Sequence, residues 1–299
     1  MNNADLYRQW VGRYAERIAK PLPSGGANPT PPNPAGQPDP NAGTPLVVPV
    51  SFGNAFFLTG QVGKDFLKEY NERVKRDYAD AQALRVLNWD DSKQAVTGSN
   101  PFAIVLTNMI LQKSGTRTAT QAELEKIAQG NTLPIKGNHY VESSLVWRSN
   151  DNPNEYLARN IATRAQGLGI ILNPGKAYVL PLYALNLEKD NNSPHKLAFG
   201  LGRDGVDFRS AYFEAPILNS KSGSYISYTD IDEKTGLPTK VYDSDVPNKN
   251  RQLWTRNSGL SGLYLNRSLD VGSYNVDLAG SSESGRVVCI SGAAAAQKS

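Results

Sequence analysis

Cysteine, histidine and methionine are scarce in this 299-residue chain: it has Cys289 alone, two histidines (His139 and His195) and two methionines. A lone cysteine excludes an internal disulfide framework and any multi-cysteine zinc site, so packing alone must hold the fold. The histidines sit in separate polar stretches, neither with a second ligand at metal spacing, and read as surface residues. No G-x-S-x-G nucleophile elbow is present, so neither a catalytic triad nor a metal centre is expected. Cys289, between Val288 and Ile290, reads as an inert thiol in a buried strand. No apolar run approaches the roughly 18 residues that span a bilayer, and MNNADLYRQWVGRYAERIAK lacks the basic-then-apolar order of a signal peptide. The protein is therefore expected to be cytoplasmic, phage-borne or exported by a non-classical route. A dominant charge is also missing, since 32 basic residues nearly cancel 28 acidic ones. The densest basic stretch, Arg73 to Arg76 in KEYNERVKRDYAD, alternates with acids as the wet face of a helix does, so no nucleic-acid partner is expected.

What is present suggests an ordered body behind an attachment piece. Leu6, Trp10, Tyr14 and Ile18 recur at steps of four and predict a short N-terminal helix over 1–20. Pro and Gly dominate 21–45, which predicts a semi-rigid extended linker. This layout allows a homo-oligomer built through the N-terminal region; equally, the helix could pack on the body with the linker crossing its surface. The body, 46–292, opens with the strand-like LVVPVSF and continues into a helix over about 63–87. Asn100-Pro101 opens a second helix, FAIVLTNMILQK. Thr120 with Glu123 forms a capping-box pattern for a third, QAELEKIAQ, with Gly130 as its stop. From about Tyr140 onward, short β-rich pieces (YVESSLVWR, KAYVLPLYALNL, KLAFGLG, SYISYTDI, RVVCIS) alternate with Gly, Asn, Asp and Pro clusters. Together these predict an irregular α+β domain, with 293–299 as a tail.

Residues 257–285, NSGLSGLYLNRSLDVGSYNVDLAGSSESG, differ from the rest. Ser, Gly, Asn, Asp and Tyr make up 19 of these 29 residues, and Lys, Gln, Met, Trp and Pro are absent. Tyr offers rigid amphipathic contact area and Ser, Gly and Asn offer adaptable hydrogen bonds, the chemistry of a binding surface. The codon table agrees with this bias. Randomising the adenines of AAC or AAT codons gives Asn, Ser, Asp, Gly, Tyr, Arg, Val and Ile among others, but never Lys, Gln, Met, Trp or stop. Glu283 is the exception and would need another codon. The same composition also suits a Ser/Gly-rich surface loop with no special history.

LWTRNSGLSGLYLN and SYNVDLAGSSESGRVVCIS resemble the C-terminal variable region of the target proteins of diversity-generating retroelements in bacteria and phages. Leu253, Trp254, Thr255 and Arg256 match the Trp-bearing strand before the variable loop; Gly285, Arg286, Val287, Val288, Cys289 and Ile290 match the strand that closes the domain. Thr116 to Glu125 is similar to the R-L-P-T-x-A-E-L/W-E helix start of that fold, with Thr118 and Ala119 in place of its Leu and Pro. The resemblance covers about fifty C-terminal residues and a dozen near Thr120. It implies a C-type-lectin-like fold of the formylglycine-generating-enzyme type, a ligand-binding protein and not an enzyme, and no cofactor. The expected partner is a protein or cell-surface ligand, and a trimer is implied by the family alone. The implied ligand contacts are Ser261, Gly262, Asn266, Ser268, Asp270, Gly272, Tyr274, Asn275, Asp277, Gly280, Ser282 and Ser284, with Tyr264 and Tyr274 as aromatic anchors. Leu260, Leu263, Leu265, Leu269 and Leu278 would be scaffold and Trp254 core.

Formylglycine-generating enzymes themselves depend on reactive or metal-binding cysteines, which a single buried Cys289 does not replace. Gln37-Pro38-Asp39 and Trp89-Asp90-Asp91 echo lectin calcium motifs, but the first lies in the linker and the second far upstream of the variable region. Gly200-Leu201-Gly202-Arg203-Asp204-Gly205 has no helix after it and carries no phosphate-loop reading. Two rivals stay open: a virion coat or tail component whose polar loop merely faces solvent, and a hydrolase with His139 or His195 beside acids.

Overall fold

The structure, a computed structural model, describes residues 47–219, 222–244 and 251–292. The expected N-terminal helix, the whole of the linker and the tail lie outside the described residues. In chain order come β1 (Val47–Val50), β2 (Gly53–Phe57), α1 (Gly60–Asp77), β3 (Asn88–Asp90), β4 (Ala95–Thr97) and α2 (Pro101–Leu111). β5 (Thr116–Thr118), α3 (Gln121–Gln129), β6 (Val141–Trp147), α4 (Glu155–Gly167), β7 (Tyr178–Pro181), β8 (Leu185–Lys189) and β9 (Leu197–Leu201) follow. The chain continues through α5 (Phe208–Ala211), β10 (Phe213–Glu214), β11 (Ser224–Ile226), β12 (Arg251–Trp254), β13 (Leu260–Leu265), β14 (Val271–Gly272) and β15 (Val288–Ser291).

The result is a mixed α/β fold around a curled seven-stranded sheet in the order β10-β7-β6-β13-β14-β12-β11. A four-stranded sheet, β1-β2-β15-β5, brings the last described strand between β2 and β5, so the two ends of the body close on each other. Each face of the large sheet feeds its own core. On one, Leu145, Trp147, Leu180 and Leu260 join Phe102, Leu106, Leu157 and Ile161 from α2 and α4. On the other, Val146, Val179, Leu253, Leu263 and Leu265 join Leu124 and Ile127 from α3 and Val288 and Ile290 from β15. That inner/outer alternation is the two-residue period of a strand buried on both faces.

Local signals explain most helix starts. Asn100 caps α2 by accepting the Ala103 N–H at 2.8 Å, with Pro101 at the first helical position. Thr120 and Glu123 close the capping box of α3, and Glu123 also takes a bidentate pair from Arg117 at 2.6 Å.

Three expectations need correction. The helix predicted over about 63–87 runs Gly60–Asp77; Tyr78, Ala81 and Leu84 extend its apolar pattern but bury it in a turn. The β-rich reading from Tyr140 onward missed α4, whose Leu157, Ala158, Ile161 and Ala165 lie at helical spacing on its buried face. The stretch 257–285 is not one outward loop. Its first part forms β13 and β14 in the middle of the large sheet, with Leu260, Leu263 and Leu265 fully buried.

Candidate functional site

β13 carries the site because its sequence alternates. Leu260, Gly262 and Tyr264 point to one face and Ser261, Leu263 and Leu265 to the other. Across on β6, Trp147 pairs with Leu260 and Leu145 with Gly262, which continues the core. A bulge then breaks the ladder: Leu263 pairs with Ser144, but Tyr264 pairs with Glu142, where regular pairing would have placed Ser143. The extra residue on β6 turns Glu142 onto the Tyr264 side, as bulges re-aim side chains. Ser143 hydrogen-bonds Gln121 and the Leu263 carbonyl instead. Tyr264's partner on its other side is Gly272, and a Cβ at that glycine would collide with the Tyr264 ring. Glycine at 272 lets the ring lie over the strand.

Beyond these residues the face opens into a surface concavity of about 590 Å³. Glu142, Tyr140 and Tyr264 line its base. Glu142 is 5% exposed, and its Oε2 has no hydrogen-bond partner among the described residues. Burial pushes its carboxyl up to about 8, so the folded protein holds it protonated at neutral pH. Tyr140 and Tyr264 meet edge-on at 6.2 Å, and tilted contacts follow between Tyr264 and Tyr274 at 6.4 Å and Tyr274 and Trp254 at 6.0 Å, a chain of rings running from base to rim. Burial, and then a hydrogen bond with the Tyr274 side chain, raises the Tyr264 phenol above its ordinary value.

Residues outside the Ser/Tyr-rich stretch pin the loop that forms the wall. Asn154 Nδ2 donates to the carbonyls of Leu260 and Val276, and Asn100 Nδ2 to that of Ala279. The Tyr140 hydroxyl donates to the Ser99 carbonyl at 2.8 Å and accepts the Ser282 N–H at 3.1 Å. Ser281 Oγ accepts the Ser99 N–H at 2.7 Å. With Leu278 buried beneath, the backbone of 275–282 is held while the side chains of Asn275, Val276, Asp277 and Ser282 face out.

Of the twelve expected contacts, the structure brings together Asn266, Ser268, Tyr274, Asn275, Asp277, Gly280, Ser282 and Ser284, all lining this concavity. The other four are corrections. Ser261 is fully buried, accepts from Arg148 Nη1 at 3.0 Å and donates to the Ser273 carbonyl at 2.7 Å. Asp270, 9% exposed, accepts the Gln252 N–H at 2.7 Å and braces the 266–270 turn through Asn266. Gly262 and Gly272 are buried in the sheet and act by leaving space: a Cβ on Gly262 would sit 3.0 Å from Glu142 Oε2. Trp254, expected in the core, is only half-buried and leans on Tyr274. Leu269 and Leu278 are buried as expected of scaffold.

Sequence reading missed Tyr140, Glu142, Arg267 and Ser281 as lining residues. One signal was available: Glu142 is the only charged residue in the otherwise apolar or small run VESSLVW. It also missed the reason Ser261 and Ser273 turn inward. The Arg148 guanidinium is fully buried and, among the described residues, donates only to Leu218, Ser261, Thr255 and Ser273 oxygens, and burial lowers its pKa to about 9. Those serines are its solvation shell.

Neither histidine lines the concavity. His139 is half-buried against Phe57 and burial lowers its pKa to about 4; His195 packs on Phe102 and is also lowered by burial. Cys289 is fully buried, and burial pushes its thiol up. Among the described residues, no group of three or more His, Cys, Asp and Glu could hold a metal ion, and no helix is long and apolar enough to cross a membrane. Asp90 and Asp91 line a neighbouring depression, where Asp90 is held below the usual carboxylate range by hydrogen bonds from Lys93 and Ser92. No family model, curated protein or solved structure matches this chain.

Proposed function

We propose that the protein is a ligand-binding module whose concavity is the contact surface, with the side chains on its rim diversified by a retroelement on a constant framework. One observation carries this reading: the polar positions marked by the sequence in 274–284, together with Asn266 and Ser268, converge on a single depression. Their backbone is fixed by Asn100, Asn154 and Tyr140, which lie outside the biased stretch. A framework that holds the loop mainly by its backbone, with Leu278 and Ser281 as its inward anchors, is what a diversified surface requires.

On this reading the mixed α/β body is a C-type-lectin-like domain of the formylglycine-generating-enzyme type. Its closing strand would be β15, paired with β2 near the start of the body. The ligand would be a protein or cell-surface group, held by shape, hydrogen bonds and the tyrosines. The test is the DNA around the gene. We expect a reverse transcriptase and a near-copy of the codons for 257–290 with adenines at the rim positions and not at Ser261, Gly262, Asp270 or Gly272. A locus without such a copy would overturn diversification and favour a virion coat or tail component.

A further inference from the structure

The base of the concavity differs in kind from its rim. Rim side chains such as Asn275 and Ser282 are exposed and neutral, whereas Glu142 comes from β6, outside the biased stretch, and is buried without a partner for Oε2. A buried carboxyl is costly unless something satisfies it. The fold nevertheless keeps it there by a bulge that brings it opposite Tyr264, with a glycine at 262 because a Cβ there would sit 3.0 Å from Oε2.

We propose that Glu142 anchors a primary ammonium on a flexible apolar stem, such as a lysine side chain of a partner protein, reaching it past the rings of Tyr140 and Tyr264. The inference rests on the concavity being the binding surface. A carboxylate supplies the ion pair and hydrogen bond that a desolvated ammonium needs, and the faces of Tyr140, Tyr264 and Tyr274 attract a cation. The apolar edges of the same rings suit an alkyl stem. Because Glu142 and Tyr140 belong to the constant framework, variants differing at the rim would share this anchor while choosing different surroundings for it.

Binding a cation favours the ionised carboxyl, so capture of the ammonium expels the proton that Glu142 holds in the free protein. The charged and titratable groups around it are Tyr140 on its own chain segment, Tyr264 from β13, Asp270 and Arg267 from the adjoining turn, and Tyr274 and Asp277 from the loop. Pro101, beside Gly262 at the start of α2, brings no charge. Burial raises both Tyr140 and Tyr264, which keeps them neutral while Glu142 changes state.

The experiment uses the full chain with Nα-acetyl-lysine-N-methylamide as probe and the norleucine analogue as its uncharged counterpart, followed by NMR titration between about pH 6 and 9. The lysine probe is expected to bind more tightly as pH rises, to exceed norleucine by about tenfold or more, and to lose that preference in Glu142→Gln. Equal binding of the two probes, a preference surviving in Glu142→Gln, or an arginine analogue that outcompetes lysine would overturn the anchor. If Glu142→Gln does not melt cooperatively, the pH trend and the probe comparison in the unaltered chain decide. Absence of lysine binding sinks the anchor alone, since diversification is judged separately at the DNA locus.

Discussion

Residues 257–273, apart from the rim turn at Asn266–Ser268, and 274–285 use one small set of residue types and meet opposite fates. In the first part a serine hydroxyl solvates the buried Arg148 and a glycine makes room for Tyr264. In the second, Asn275, Asp277 and Ser282 face water along the concavity. Composition is nearly the same, so it cannot be what sorts them. Apolar placement sorts them: Leu260, Leu263 and Leu265 commit the first part to a strand buried on both faces, while the second has Leu278 as its single fully buried leucine. Variation that is harmless in one part would be ruinous in the other.

Serine to tyrosine tests the two parts directly, with the largest effect expected at Ser261. Ser261→Tyr would force a phenol into a fully buried position and remove a partner from Arg148. Overpacking and an unsatisfied guanidinium together are expected to cost about 4–6 kcal/mol, enough to abolish cooperative folding or nearly so in urea denaturation. A stable Ser261→Tyr protein would mean that the first part is as plastic as the second.

Next in size is a pH effect at the boundary between the parts. The Glu142 carboxyl has its pKa raised to about 8 in the fold, against 4.5 ordinarily. The folded state therefore binds the extra proton, and stability from this group is fully present below about pH 4.5 and lost as pH climbs toward about 8. The loss is bounded at about 5 kcal/mol. Urea midpoints of the wild type and Glu142→Gln should diverge across that window, with the glutamine variant flatter and more stable at alkaline pH. Parallel curves would show that Glu142 is solvated and not the buried base of the site.

A smaller loss, about 1–3 kcal/mol, is expected for Ser261→Ala, which leaves one Arg148 donor without its acceptor but adds no bulk. Ser273→Ala should resemble it, because Ser273 Oγ accepts from the same guanidinium at 2.7 Å. Equal urea stability of both variants to wild type would indicate that water fills the gap and that Arg148 does not depend on the serines.

Some of this was legible in the sequence. Asn100-Pro101 and the Thr120/Glu123 box announced two helices because capping is local chemistry. The leucines of 260–278 announced scaffold because large apolar side chains must go somewhere dry. Position along β13 was harder. Leu260, Leu263 and Leu265 mix both strand faces, and glycine or serine between them can point either in or out. Glu142 and Arg148 lie more than a hundred residues from the serines and glycines they organise, and the bulge that turns Glu142 has no local mark. Long-range pairing, not propensity, decides which polar residues of this stretch reach solvent.

The smallest effects are expected on the rim. Ser282 is exposed, and its side-chain contact is with the Ser284 hydroxyl at 2.8 Å. What holds it in place is its own N–H, donated to Tyr140, and a change of side chain leaves that bond intact. Asn275 is exposed too, and its Oδ1 accepts the Asp277 N–H at 3.1 Å. Ser282→Tyr and Asn275→Tyr should therefore each shift unfolding free energy by no more than about 0.5 kcal/mol, as surface substitutions do. Made together, they should add without coupling, because neither bonds to the other. A loss above about 1 kcal/mol at either position would place the loop's side chains in the packing, and the rim would then be built for stability and not for exchange.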